Sequence, residues 1–227
     1  MKHAPFILKV LTYLTIGAGV MPLFYKKGGN KHRLWGRWHY YGAVSLLFFS
    51  ILYNSVERFN WLLAVLSFSS FYFAFTGKNI VAHKLRGKGF KNPPILKIIA
   101  FLGITLCLIL WGILLRIFPL LSSLHLILGN SVLIILLIFC FQDIKAYFST
   151  KISHNYKKDW LFLHINRTIL TLLTLLAVPF SFSFSLPEAI FVICGGVLIL
   201  GGWLYFIKVY NGLYFIFYSE GKSKERS

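Results

Sequence analysis

The sequence predicts an all-α integral membrane protein: one domain of seven transmembrane helices, N-terminus outside and C-terminus cytoplasmic. Three observations lead there. Hydrophobic residues make up 57% of the 227-residue chain, and its mean hydropathy is +0.71, above the apolar share of ordinary soluble domains. The apolar residues gather into runs near the ~20 residues that span a bilayer core. Lys and Arg, which give a net charge of +18, are concentrated in the connections. Such runs occupy most of the chain, so no room is left for a separate soluble domain.

The helices are expected at about residues 5–24, 37–54, 61–83, 98–118, 121–142, 160–180 and 189–210, followed by a charged tail, 219–227. The first run, with Lys2 and Lys9, has some character of a signal peptide. Cleavage, however, would leave the basic stretch 25–39 outside, and no clear A-x-A site is present. The second run is short and must begin inside that basic stretch. A brief turn leads to the third run, beyond which the segment 78–97 carries Gly87, Gly89 and Pro93-Pro94, which break a helix. Pro119 closes the fourth run, and the fifth follows so closely that the two form a hairpin. The polar segment 142–158 precedes the sixth. A turn with Pro187 precedes the seventh, where Glu188 suits the N-terminal dipole.

Orientation follows from the basic residues. The three long connections and the C-terminal end hold nineteen, whereas the opposite side holds only Lys2, Lys9, Arg58 and Arg116. The positive-inside rule therefore places the long loops in the cytoplasm. A bacterial inner membrane is the expected location, and anionic headgroups at its cytoplasmic face are the expected partners of these loops. The charge does not imply nucleic-acid binding, because it forms no continuous soluble basic surface. Cys107, Cys140 and Cys194 lie in apolar runs without metal-ligand spacing and read as small buried hydrophobes.

Charged groups in hydrocarbon are costly, so polar residues within or beside the runs are the candidates for function. His32, Arg33, Arg37 and His39 lead into the second helix. Thr76, Asn79 and His83 follow one another at i, i+3 and i+7. Asp143 closes the fifth helix, and His164, Asn166 and Arg167 open the sixth. All belong to cytoplasmic helix ends and would line one polar pocket. Plainer readings stand beside this one. Arg37 and His39 would anchor the interface next to Trp35, Trp38 and Tyr40. Asp143 would bridge to Arg167, or Arg167 would snorkel to the headgroups. On the outer side, His125 reads as a satisfied interfacial histidine.

Several chemistries lack their motifs. HExxH, GxSxG and Walker spacings are absent, as is an embedded carboxylate pair. Gly28-Gly29 reads as a turn. Gly195-Gly196 and Gly201-Gly202 suit close helix packing.

The segment KKGGNKHRLWGRWHYYG (residues 26–42) resembles the "KG…HR..GR" signature of a bacterial multi-pass membrane family of unknown function. Trp160, Leu161, His164 and Arg167 resemble its "WL..H..R" motif, and TGKNIVAHK (residues 76–84) is similar to the segment after its third helix. Thr168 and Lys78-Asn79 depart from its pattern. The resemblance implies a seven-helix or related bundle and supplies no activity. A weaker likeness is to b-type cytochrome helical bundles.

Two functions follow as expectations. The first is binding of a small ligand or lipid headgroup in the cytoplasmic-side pocket by His32, Arg33, Arg37, His39, Asn79, His83, Asp143, His164 and Arg167, where arginine grips anionic oxygens and histidine exchanges protons. The second is a redox protein holding haem b between His39 and His164, with Arg37 or Arg167 near the propionates. A transporter is a third reading, although no inverted repeat or broken helix pair is evident.

Overall fold

A computed structural model describes residues 3–26, 29–57, 59–80, 94–117, 123–148, 156–182, 190, 193–202, 204 and 208. Among them the chain forms seven α-helices and no strand: α1 (Ala4–Val20), α2 (Asn30–Val56), α3 (Trp61–Ile80), α4 (Pro94–Ile117), α5 (Ser123–Phe148), α6 (Tyr156–Ala177) and the short α7 (Ile193–Gly202). Single 3₁₀ turns, Met21–Phe24 and Val178–Ser181, extend α1 and α6.

Among the described residues, four segments are long and apolar enough to cross a membrane: Ala4–Phe24, Pro94–Arg116, His125–Tyr147 and Leu163–Ser181. Their exposed residues include Phe6, Leu14, Leu115 and Ile127, the side chains expected on a surface solvated by lipid. α3 differs because it is enclosed. Fifteen of its 20 residues are buried, Ser67, Ser69 and Ser70 among them. A helix surrounded by protein need not offer lipid an apolar face, so small hydroxyl residues are tolerated where neighbours satisfy them. Ser67 bonds Ser50 of α2 at 2.9 Å and Ser70 meets Thr174 of α6 at 2.8 Å.

Packing divides the bundle into two parts sharing α3. α1 packs on α2, α2 on α3, α3 on α6, and α6 back on α1, closing a ring of four. α4 and α5 pack on each other and on the outer side of α3. The buried stripes show why the ring closes. α1 buries Leu8, Thr12, Thr15 and Gly19, and α2 buries His39, Ala43, Leu46 and Ser50. Both follow the i, i+4, i+7, i+11 spacing of a single helix face.

Contacts fix the helix directions. Asn60 before α3 bonds Ser181 after α6 at 2.5 Å, whereas His164 early in α6 bonds Gly77 late in α3 at 2.7 Å, so the two helices are antiparallel. Trp61 donates its indole N–H to Leu110 of α4 at 2.8 Å, and Tyr72 bonds Asp143 of α5 at 2.7 Å. One end of the bundle therefore gathers the C-terminal ends of α1, α3 and α5 and the N-terminal ends of α2, α4 and α6. It carries Lys31, Arg33, Arg37, Lys78, Lys97 and Lys145.

Several boundaries differ from the sequence expectation. α2 starts at Asn30, so His32 and Arg33 are helical. Pro94 opens α4 rather than only breaking a helix, consistent with its missing N–H at a position that needs none. α5 runs to Phe148, which places Asp143 inside the helix and not at its close. There the carboxylate is paired with Arg167 of α6. Cys107 and Cys140 are buried as expected, but Cys194 is exposed on α7. The charged tail 219–227, Glu188, Pro187 and Pro119 lie outside the described residues.

Candidate functional site

At the basic end, the polar residues anticipated from sequence separate into three groups. The deepest is an ion pair between α5 and α6. Arg167 is 1% exposed, and its Nη2 donates to Asp143 Oδ1 at 2.5 Å. Tyr72 of α3 completes the group by donating its hydroxyl to Asp143 Oδ2 at 2.7 Å. The guanidinium carbon lies 4.1 Å from the Phe139 ring centroid and about 6 Å from those of Tyr72 and Phe73, within cation–π range. Gly77 lets α3 approach closely here, since a Cβ on it would lie 2.9 Å from Arg167 Cβ. Arg167 thus pairs with Asp143 and does not snorkel. Its Nε and Nη1 have no hydrogen-bond partner among the described residues.

The second group is histidine, and three rings share one arrangement. His39 Nδ1 lies 2.9 Å from the Thr15 carbonyl oxygen, His164 Nδ1 lies 2.7 Å from that of Gly77, and His32 Nδ1 lies 3.1 Å from that of Pro22. A carbonyl oxygen only accepts, so each Nδ1 carries the proton. In the neutral ring Nε2 is then left as a bare lone pair. His39 is 6% exposed, and its buried Nε2 has no partner among the described residues. It is wedged against α1, where a Cβ on Gly19 would lie 2.6 Å from His39 Nδ1 and 2.8 Å from Leu172 Cδ2 of α6.

The third group stays apart. Arg33 is exposed and bonds Asn30 on its own helix at 2.6 Å, and Arg37 is exposed on the same helix. Asn79 donates back to the Phe75 carbonyl at 2.8 Å, which ties its amide to α3. The long arms of Arg33 and Arg37 reach outward at a helix end, whereas His39 occupies the stripe that packs on α1. His83 lies outside the described residues. At the opposite end, His125 Nε2 lies 3.2 Å from the Phe180 carbonyl oxygen, a satisfied histidine as expected.

Sequence reasoning missed Tyr72, Gly19 and the carbonyls of Thr15 and Gly77. Tyr72 left one signal, a phenol in the run richest in buried serine. Backbone acceptors leave none, because every residue has a carbonyl. Among the described residues, no group of three or more His, Cys, Asp or Glu is arranged to hold a metal ion. No protein-family model, curated protein or solved structure matches this chain, so the motif resemblance of residues 26–42 and 160–167 rests on those residues alone.

Proposed function

We propose that this chain is a multi-pass membrane protein that binds a small ligand at its basic end, among α1, α2, α3 and α6. The observation that carries this reading is the Nε2 of His39, a hydrogen-bonding atom without a partner among the described residues, in a residue only 6% exposed. A buried polar atom left unsatisfied costs about 1–3 kcal/mol. Interiors hold such atoms for water or ligand. An N–H or O–H donor, or an electron-poor metal centre, fits that lone pair. His164 of α6, whose Nδ1 is likewise tied to a backbone carbonyl, supplies a second acceptor at the same end of the bundle.

Purified protein is expected to retain a small molecule detectable by native mass spectrometry. His39→Leu is expected to lower the retained fraction at least tenfold while still eluting as a single folded species. Equal retention by the variant would overturn the reading.

The proposal includes a topology. Seven spans with the N-terminus outside put the basic end in the cytoplasm of a bacterial inner membrane, where its lysines and arginines meet anionic headgroups. A reporter fused after Ser227 should be active only in the cytoplasm, and one inserted at Glu57 only outside. The reverse pattern would invert the assignment and move the ligand site to the outer face.

A further inference from the structure

We propose that a stripe of α3, left part-open between α2 and α4, binds one anionic phospholipid, its phosphate on Lys78 and an acyl chain along Phe75, Phe71 and Ala64. The site is separate from His39 and takes from the reading above only that the bundle lies in a membrane. α3 is the enclosed helix, and the residues that escape full burial on it are Ala64, Phe71, Phe75, Lys78 and Asn79. The first four follow one another at i, i+7, i+11 and i+14, which puts them on one face. Phe75 locates that face. Its ring centroid lies 5.8 Å from that of Phe71 and 6.4 Å from that of Tyr40 on α2, and it also packs against the cluster of Leu96 and Ala100 on α4 and Tyr147 on α5. α2 and α4 both pack on α3 but not extensively on each other, so they form two walls with the stripe between them. Phe71 and Phe75 are only half-buried there, and their surface is accessible. From Ala64 to Lys78 the helix rises ~21 Å, more than the ~15 Å of one leaflet of a bilayer core.

The charged end of the stripe selects the headgroup. Lys78 is exposed, and its Nζ lies 3.9 Å from the Tyr40 ring centroid and 5.8 Å from that of Tyr41, within cation–π range. The two rings of α2 thus hold an ammonium of α3 at the mouth of the stripe. Among the described residues it has these rings and no carboxylate as partner. The chain has few to offer: 24 Lys and Arg stand against 6 Asp and Glu, and Asp143 is committed to Arg167. Arg37 brings a second cation to the same end. It is exposed one turn before Tyr40 and Tyr41, on the same face of α2. Trp38, 59% exposed beside it, marks the depth at which indoles meet headgroups. A phosphate with its negative oxygens bonds strongly to such cations, and basic sites between transmembrane helices are where anionic headgroups are held. A lipid satisfies both parts of the stripe with one molecule.

Full-length protein, delipidated in detergent and titrated with phosphatidylglycerol or phosphatidylcholine, is expected to retain one phosphatidylglycerol per chain in native mass spectrometry and to prefer it over phosphatidylcholine. Lys78→Gln should weaken that retention about fivefold, the effect of one basic residue near an anionic surface. Arg37→Gln should act in the same direction, and Lys78→Arg should keep the lipid. Both positions are exposed, so these variants are expected to fold as the wild type does. Lys31→Gln removes the same charge from the same end, but its ammonium lies over Tyr25 and not over the stripe; it should bind as the wild type. Equal retention of the two lipids by the wild type would overturn the proposal. So would an equal loss in Lys31→Gln and Lys78→Gln, which would mean charge spread over the whole end and no site. Glycerol phosphate, the same headgroup chemistry without tails, should not displace the lipid at matched concentration. Displacement would show that phosphate alone is recognised and would overturn the lipid assignment. None of these readouts involves His39, so ligand binding at that residue stands or falls separately.

Discussion

Arg167→Ala is expected to lower stability by about 3–5 kcal/mol, enough to remove most folded protein from a detergent preparation. The side chain is 1% exposed and bonds Asp143 at 2.5 Å. Removing it leaves a buried carboxylate whose only other bond shown is the Tyr72 hydroxyl at 2.7 Å. That one neutral donor cannot replace a guanidinium in a medium where ions are so poorly solvated. Asp143→Ala should be as damaging, because it strands a cation whose Nε and Nη1 already lack partners among the described residues. Removing both charges is a different case. Arg167→Met combined with Asp143→Leu should recover most of the loss, since an apolar pair of similar size has no ion to desolvate. Tyr72→Phe should fall between, at about 1.5–3 kcal/mol for one hydrogen bond to a charged group. Thermal unfolding in one detergent checks the order. A double variant less stable than either single one would mean that the pair does more than neutralise itself.

Gly129→Ala is the second large effect, expected at about 1–3 kcal/mol or more from overpacking. A Cβ at Gly129 of α5 would press into two ring carbons of Trp61. A flexible neighbour would swing aside, but Trp61 is 1% exposed and its indole N–H is fixed to the Leu110 carbonyl at 2.8 Å. Either that bond breaks or α3 and α5 separate. Gly112→Ala on α4 is the control, because nothing lies within 4 Å of its added Cβ; there the better helix propensity of alanine should leave stability equal or slightly higher. Equal melting temperatures for both variants would show that the α3–α5 contact is looser than the Trp61 geometry implies.

Much of the fold was legible in the sequence because membrane helices are written as long apolar runs. Boundaries went astray where polar residues are satisfied by tertiary partners. Asp143 reads as a helix end because the apolar run stops there, yet it lies inside α5, paired with Arg167. The second run looks short until the basic residues from Asn30 onward are included in α2. The site was legible as a set of residue types at one end, His39, Asp143, His164 and Arg167 among them. It was not legible which of them would meet. Arg33 and Arg37 read as equals of His39 in the sequence, and only packing turned them outward.

What the sequence determined by itself was a helical chain of long apolar runs with its charge gathered in the connections; it read seven spans, and four of the described helices are long and apolar enough for a membrane. Both follow from local composition, since a run's hydrophobicity depends on its own residues. Only the tertiary structure decided that α3 is central, that Tyr72 joins the Arg167–Asp143 pair, and that His39 and His164 stand on diagonal helices with Nδ1 held by backbone carbonyls. Those facts depend on which helix faces are neighbours. A helical period specifies that a face is buried, but the partner that buries it comes from elsewhere in the chain, chosen by shape and by the small residues, such as Gly19 and Gly77, that let two backbones meet.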